Sequence, residues 1–122
     1  MENISHDLGK IGEKLAQQHL LTQGYSILET NWRFKKYEID IIAQINQTIV
    51  FVEVKARKSD TFGQPEIFVS KQKQKFMLAA AHQYNVKYAV SLDSRFDVIS
   101  ILQFNNKQIV KHIQDAFYPT IS

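Results

Sequence analysis

The stretch from Thr48 to Arg57 constrains this chain more than any other, because Val50, Val52 and Val54 alternate with Phe51, Glu53 and Lys55. Successive residues of a strand point to opposite sides of a sheet, so one face is apolar and the other carries Glu53 and Lys55. Tyr37 to Gln44 is a second strand-like run, and the Ile45-Asn46-Gln47 linker between the two is short enough for a hairpin. With a loop of two or four residues, Asp40 faces Glu53 and Glu38 faces Lys55. An odd-length loop would break this register and put Asp40 and Glu53 on opposite faces.

The remaining chain supplies partners for that hairpin. From about Ser5 to Gln23 the positions Leu8, Ile11, Leu15 and His19 recur at helical spacing, and Gly24 is placed to stop the helix. Tyr25 to Phe34 is rich in β-formers, which makes the first three strands a meander. A loop with Gly63 and Pro65 leads to Ser70, an N-cap for a helix running through Phe76, Met77, Ala80 and Tyr84. Val86 to Leu92 and Arg95 to Leu102 read as two further strands, and Asn105-Asn106 turns the chain into a mixed segment ending near Phe117. The order α-β-β-β-α-β-β is an α/β fold, one mixed sheet with helices packed on it. At 122 residues it is expected to form a single domain, 1–122.

Composition narrows the chemistry. The absence of cysteine excludes disulfides, thiolate zinc sites and thiol nucleophiles, which leaves oxygen-ligated metals and histidine. His6, His19, His82 and His112 are far apart in the chain and are expected to form no ligand-spaced pair. No apolar run approaches the roughly 20 residues that cross a bilayer, and the first residues lack a signal-peptide pattern, so a cytoplasmic location without membrane contact is expected. A net charge of +3 suits an anionic partner, and the basic residues gather at Lys35-Lys36, at Arg57-Lys58 and at Lys71, Lys73 and Lys75.

The carboxylates lie among these basic segments. Opposed residues on one sheet face have Cβ atoms roughly 4.5 to 5.5 Å apart, and like charges so placed repel unless something positive lies between them. A divalent cation would resolve the conflict between Asp40 and Glu53. Two carboxylates with a lysine two residues on suit metal-assisted hydrolysis of a phosphodiester, with Mg²⁺ or Mn²⁺ favoured by hard oxygen ligands. Lys55 then orients water or neutralises growing charge, and Glu13, at the edge of the first helix's apolar stripe, reaches over the sheet as a third acid.

These residues also carry a resemblance. Gly12-Glu13, Gly24-Tyr25, Asn31-Trp32-Arg33, Glu38-Ile39-Asp40, Phe51-Val52-Glu53-Val54-Lys55 with Arg57, Lys73-Gln74, Arg95-Phe96-Asp97-Val98-Ile99 and Ala116-Phe117 look like the uncharacterised YraN-like bacterial family over nearly the whole chain. The family is placed in the restriction-endonuclease-like superfamily near the archaeal Holliday junction resolvases, marked by an acid on a first helix, an Asp and a Glu-x-Lys. The resemblance implies catalytic roles for Glu13, Asp40, Glu53 and Lys55, with Asp40, Glu53 and Glu13 as metal ligands. It also implies supporting roles for Glu38 and Gln74, nucleic-acid contacts at Lys73, Arg57, Arg33 and Lys36, and a homodimer. Tyr37 departs from the pattern, standing where the family has Gly before Glu38.

The expected function is a divalent-metal-dependent nuclease acting on nucleic acid, DNA more than RNA, and on branched DNA by the same resemblance. The alternative is a nucleic-acid-binding module with the same fold that does not cleave. Metal binding discriminates the two. A metal-independent protein interaction domain is the third reading, and it predicts no salt-dependent affinity for nucleic acid.

Overall fold

The hairpin closes through a two-residue turn. In the computed structural model, which describes residues 4–59 and 68–118, Ile45 pairs with Thr48 across Asn46 and Gln47, and Asn46 takes φ 51°. Asn tolerates that left-handed conformation, as the turn requires. The loop with Gly63 and Pro65 lies outside the described residues.

The elements are α1 (Ile4–Thr22), β1 (Ser26–Phe34), β2 (Tyr37–Ile45), β3 (Thr48–Lys58), α2 (Lys71–Lys87), β4 (Asp93–Phe104) and β5 (Lys107–Phe117). The five strands form one sheet in the order β1-β2-β3-β4-β5. Neighbours are antiparallel except β3 and β4, which run parallel and are joined through α2. The α/β class and the element order expected from the pattern are therefore those of the protein.

Alternation along the strands splits the core between two sheet faces. Ile42, Phe51, Phe96 and Val98 pack with Met77, Ala80, Ala81 and Tyr84 of α2. Ile41, Ala43, Val50, Val52, Ile99 and Ile101 pack with Ala16 and Leu20 of α1. Ser70 caps α2 by accepting from the Lys73 N–H.

Two expectations need correction. On α1 the buried side chains are Leu8, Ala16 and Leu20, with Gly12 between them and Leu15 packed partly buried beside them as expected, whereas Ile11 is exposed. A stripe drawn on hydrophobicity overlooks small residues, and here they set the helix position. A Cβ on Gly12 would meet the Ala56 Cβ at 2.7 Å, so only glycine lets α1 lie this close to β3. Val86 to Leu92 is not a strand. Val86 and Lys87 complete α2, Ala89 takes φ 52°, and the Val90 N–H donates to the Asn85 carbonyl. The β-branched valines are those of a helix end and its turn, and the segment after Asn105-Asn106 is the long edge strand β5. Among the described residues no helix is long and apolar enough to cross a membrane.

Candidate functional site

The β2–β3 ladder holds the expected register from Ile45–Thr48 to Ile41–Val52 and stops there. Beyond that rung the strands part. Asp40 fills the gap, its carboxylate accepting the Val54 N–H at 2.8 Å in place of a backbone carbonyl. Glu38 and Lys55 are accordingly not a ladder pair. Glu38 instead accepts from Arg33 at 2.7 Å, while Lys55 lies beside Ser100 in the parallel ladder with β4.

Strand alternation also breaks at this point. Ile39 and Ile42 both belong to the core beneath α2, whereas Ile41 and Ala43 belong to the core beneath α1. A strict period of two cannot satisfy that set, so the reversal falls at Asp40. Across the ladder, Thr30–Ile41 and Trp32–Ile39 bracket Asn31, whose φ is 52°. The two strands thus share a matched irregularity. It brings Asp40 together with Glu38 and with Glu13 of α1, and one oxygen from each lies within 4.8 Å of the others.

Asn31 completes the group. With its amide oriented to donate, Nδ2 lies 3.0 Å from Glu13 Oε1 and 3.1 Å from Glu38 Oε1. The expectations had no role for this residue. Its signal was an asparagine inside a strand, where β-propensity disfavours it and tolerance of the left-handed region explains it.

Glu53 approaches this group from the Asp40 side, its carboxyl against that of Asp40. It is 14% exposed, pairs with Lys73 Nζ at 3.4 Å and repels the Asp40 carboxylate. Burial and that neighbour push Asp40 up to about 7, against the Val54 hydrogen bond and Lys73, which favour the charged form. Burial, then the charges of Asp40 and Glu38, raise Glu13 as well, opposed by its bond from Asn31.

The residues expected to bind nucleic acid fall in several places. Lys73 is taken up by Glu53 and Arg33 by Glu38. Lys36 lies over the rings of Tyr37 and Phe76, which stack on each other at 4.8 Å. Arg57 lies near the end of β3, beside Leu102 of β4. The Gln74 amide donates to the Val69 carbonyl before α2, which gives it a place in the helix start.

A second polar cluster is built on Arg95 and Asp97, which share a face of β4 and were expected to be structural. Asp97, fully buried, accepts from Arg95 Nε at 2.9 Å, from Arg95 Nη2 at 2.8 Å, from the Asp115 N–H at 3.0 Å and from His112 Nε2 at 2.7 Å. His112 Nδ1 in turn lies 3.1 Å from His19 Nε2, a meeting of two histidines far apart in the chain. Their separation along the chain hid a contact that only the packing of α1 on β5's side of the sheet creates.

Residues 12–101 match the family described as uncharacterised protein family UPF0102. The chain belongs to the UPF0102 family. It is 45% identical over 113 residues to the UPF0102 protein of Flavobacterium psychrophilum, covering 93% of this chain and 95% of that one. A UPF0102 protein of Thermodesulfovibrio yellowstonii is 48% identical over 112 residues, covering 92% and 96%. That of Phocaeicola vulgatus is 38% identical over 116 residues, covering 95% and 96%. The matched span includes Glu13, Asn31, Glu38, Asp40, Glu53 and Lys55, so the acid cluster lies wholly within the UPF0102 region.

Proposed function

We propose that this UPF0102 protein is a divalent-cation-dependent phosphodiesterase of nucleic acids, with DNA, branched DNA included, as the substrate class. The observation that carries the reading is the convergence of Glu13, Glu38 and Asp40 from a helix and a broken strand, with Asp40 pushed up to about 7. Burial, then the Glu53 carboxylate, raise Asp40, and carboxylates held at such a cost are characteristic of functional sites. The donor set is all carboxylate oxygen, which fits Mg²⁺ or Mn²⁺ and does not fit a soft metal.

Glu13, Glu38 and Asp40 would hold the cation, with Glu53 beside Asp40 as the further acid. Bound there, the ion supplies a Lewis acid that polarises a phosphoryl oxygen and acidifies water. The chain's own groups do the rest. Lys55 follows Glu53 on the same side of β3 and offers a fixed positive charge to the phosphate as negative charge grows on it. Lys73 holds Glu53 in place through their ion pair, and Arg33 and Lys36 serve as phosphate contacts.

Cleavage of linear, flapped and four-way-junction DNA with Mg²⁺ or Mn²⁺, wild type against Asp40→Ala, tests the reading. Metal-dependent cleavage that Asp40→Ala abolishes is expected. The second reading, a module that binds nucleic acid without cleaving it, is favoured by the ion pair that Lys73 makes with Glu53. Salt-sensitive binding of every substrate with no product would select it.

A further inference from the structure

Asn31 holds an unusual position among the acids. Its φ of 52° is confined to residues that tolerate the left-handed region, and it faces Asp40 where both strands lose their alternation. One terminal atom of its amide lies 3.0 Å from Glu13 Oε1 and 3.1 Å from Glu38 Oε1. The two ends of an amide are nearly equal in size, so the group fits either way round. With Nδ2 at that position it donates to both glutamates. Reversed, it presents Oδ1 there, and Nδ2 still donates to Glu13 Oε2 at 3.3 Å.

The second orientation places the Asn31 oxygen against an oxygen of each glutamate, which is repulsive alone and favourable around a cation. Oxygens held at about 2.1 Å from Mg²⁺ and at right angles to one another are about 3.0 Å apart. That is the spacing the Asn31 amide keeps from Glu13 and from Glu38.

We propose that Asn31 is a neutral oxygen ligand of the cation held by Glu13, Glu38 and Asp40, its amide reversing from donor to the glutamates to ligand when the ion enters. The inference rests on the cation site proposed above. Asparagine suits both states. Without the ion its N–H groups offset the burial and the repulsion from Asp40 and Glu38 that raise Glu13. With the ion it adds an oxygen and no charge, where a further carboxylate would make the empty site still harder to form.

The test is calorimetric titration of the whole chain with Mn²⁺, joined to thermal unfolding without metal, for wild type, Asn31→Gly, Asn31→Asp and Asp40→Asn. Glycine keeps the left-handed backbone and removes only the amide. Asn31→Gly should weaken Mn²⁺ binding by about tenfold or more. Asn31→Asp should tighten binding and lower the metal-free Tm, since it adds charge that only the ion relieves. If folded Asn31→Gly binds Mn²⁺ as tightly as wild type, or more tightly, Asn31 is only a donor to the acids and the proposal is overturned. Failure of the cation reading itself looks different. In that case wild type takes up no Mn²⁺, or Asp40→Asn takes it up unchanged, and Asn31 loses its role with the site.

Discussion

Asp40 and Asp97 stand on the same sheet, withdrawn from water, and their surroundings drive them in opposite directions. For each, the largest influence is burial, which favours the neutral acid. Asp97 overcomes it. Hydrogen bonds from His112, Arg95 and the Asp115 amide hold its carboxyl below the ordinary value. Asp40 has the Val54 N–H and the more distant charge of Lys73, set against the Glu53 carboxylate. Depth does not separate them; compensation does. The satisfied carboxylate ties β4, β5 and, through His112 and His19, α1 together. The unsatisfied one marks the site where a proton or a cation has most to offer.

The largest expected effect tests the compensated side. Asp97→Ala leaves the Arg95 guanidinium and His112 without their shared acceptor, and removing one partner of a buried ion pair typically costs about 3 to 5 kcal/mol. Asp40→Asn removes a repulsion and should be neutral or stabilising without metal. Urea denaturation of the two variants at neutral pH measures the contrast, and equal losses would abolish it.

The pH dependence sharpens the same comparison through its sign. An unfolded aspartate titrates near 3.8, whereas folded Asp40 holds its proton to about 7. Between those values the folded chain binds the extra proton, so the Asp40 contribution to stability is lost as pH rises, by about 1.4 kcal/mol for each pKa unit. For Asp97, whose folded value is lowered, the stabilisation is present above 3.8 and is lost as pH falls through the folded value. The difference in unfolding free energy between wild type and Asp40→Asn should change between pH 3.8 and about 7, whereas that between wild type and Asp97→Ala should stay constant there and shrink only as pH falls below 3.8. A flat difference between wild type and Asp40→Asn would show that Asp40 is ordinary.

Gly12 comes next, because it sets how near α1 brings Glu13 to Asp40. Gly12→Ala puts a methyl group 2.7 Å from the Ala56 Cβ and should cost about 1 to 3 kcal/mol through overpacking. It should also weaken Mn²⁺ binding as the helix shifts outward. Loss of stability with unchanged Mn²⁺ affinity would separate the position of α1 from the site.

The smallest effect is expected at Arg33. Its side chain is 67% exposed, so its ion pair with Glu38 contributes less than about 1 kcal/mol and Arg33→Ala should hardly change unfolding. Its signature lies in binding, where the salt dependence of DNA affinity should become shallower with no change of sequence preference. An unaltered salt slope would leave Arg33 as a partner of Glu38 alone.

What the sequence by itself determined was local. The alternation from Val50 to Lys55 and the short Asn46-Gln47 turn set the hairpin register, and Ser70 set the start of α2, because each depends on residues within a few positions of one another. The convergence of Glu13 and Asp40 was legible because motif and helix edge both pointed to them. The tertiary structure decided where the ladder ends and which acids meet. Glu38, set against Lys55 by register alone, joins Glu13 and Asp40, while Glu53 lies against Asp40 as expected and also pairs with Lys73. The change of partners at Glu38 follows from the break in alternation at Asn31 and Asp40, which exists because the strands must serve two cores on opposite faces. The meeting of His19 with His112 likewise depends on elements that no local pattern relates. Periodicity reports which way a side chain points along its own strand or helix; only packing reports what it finds there.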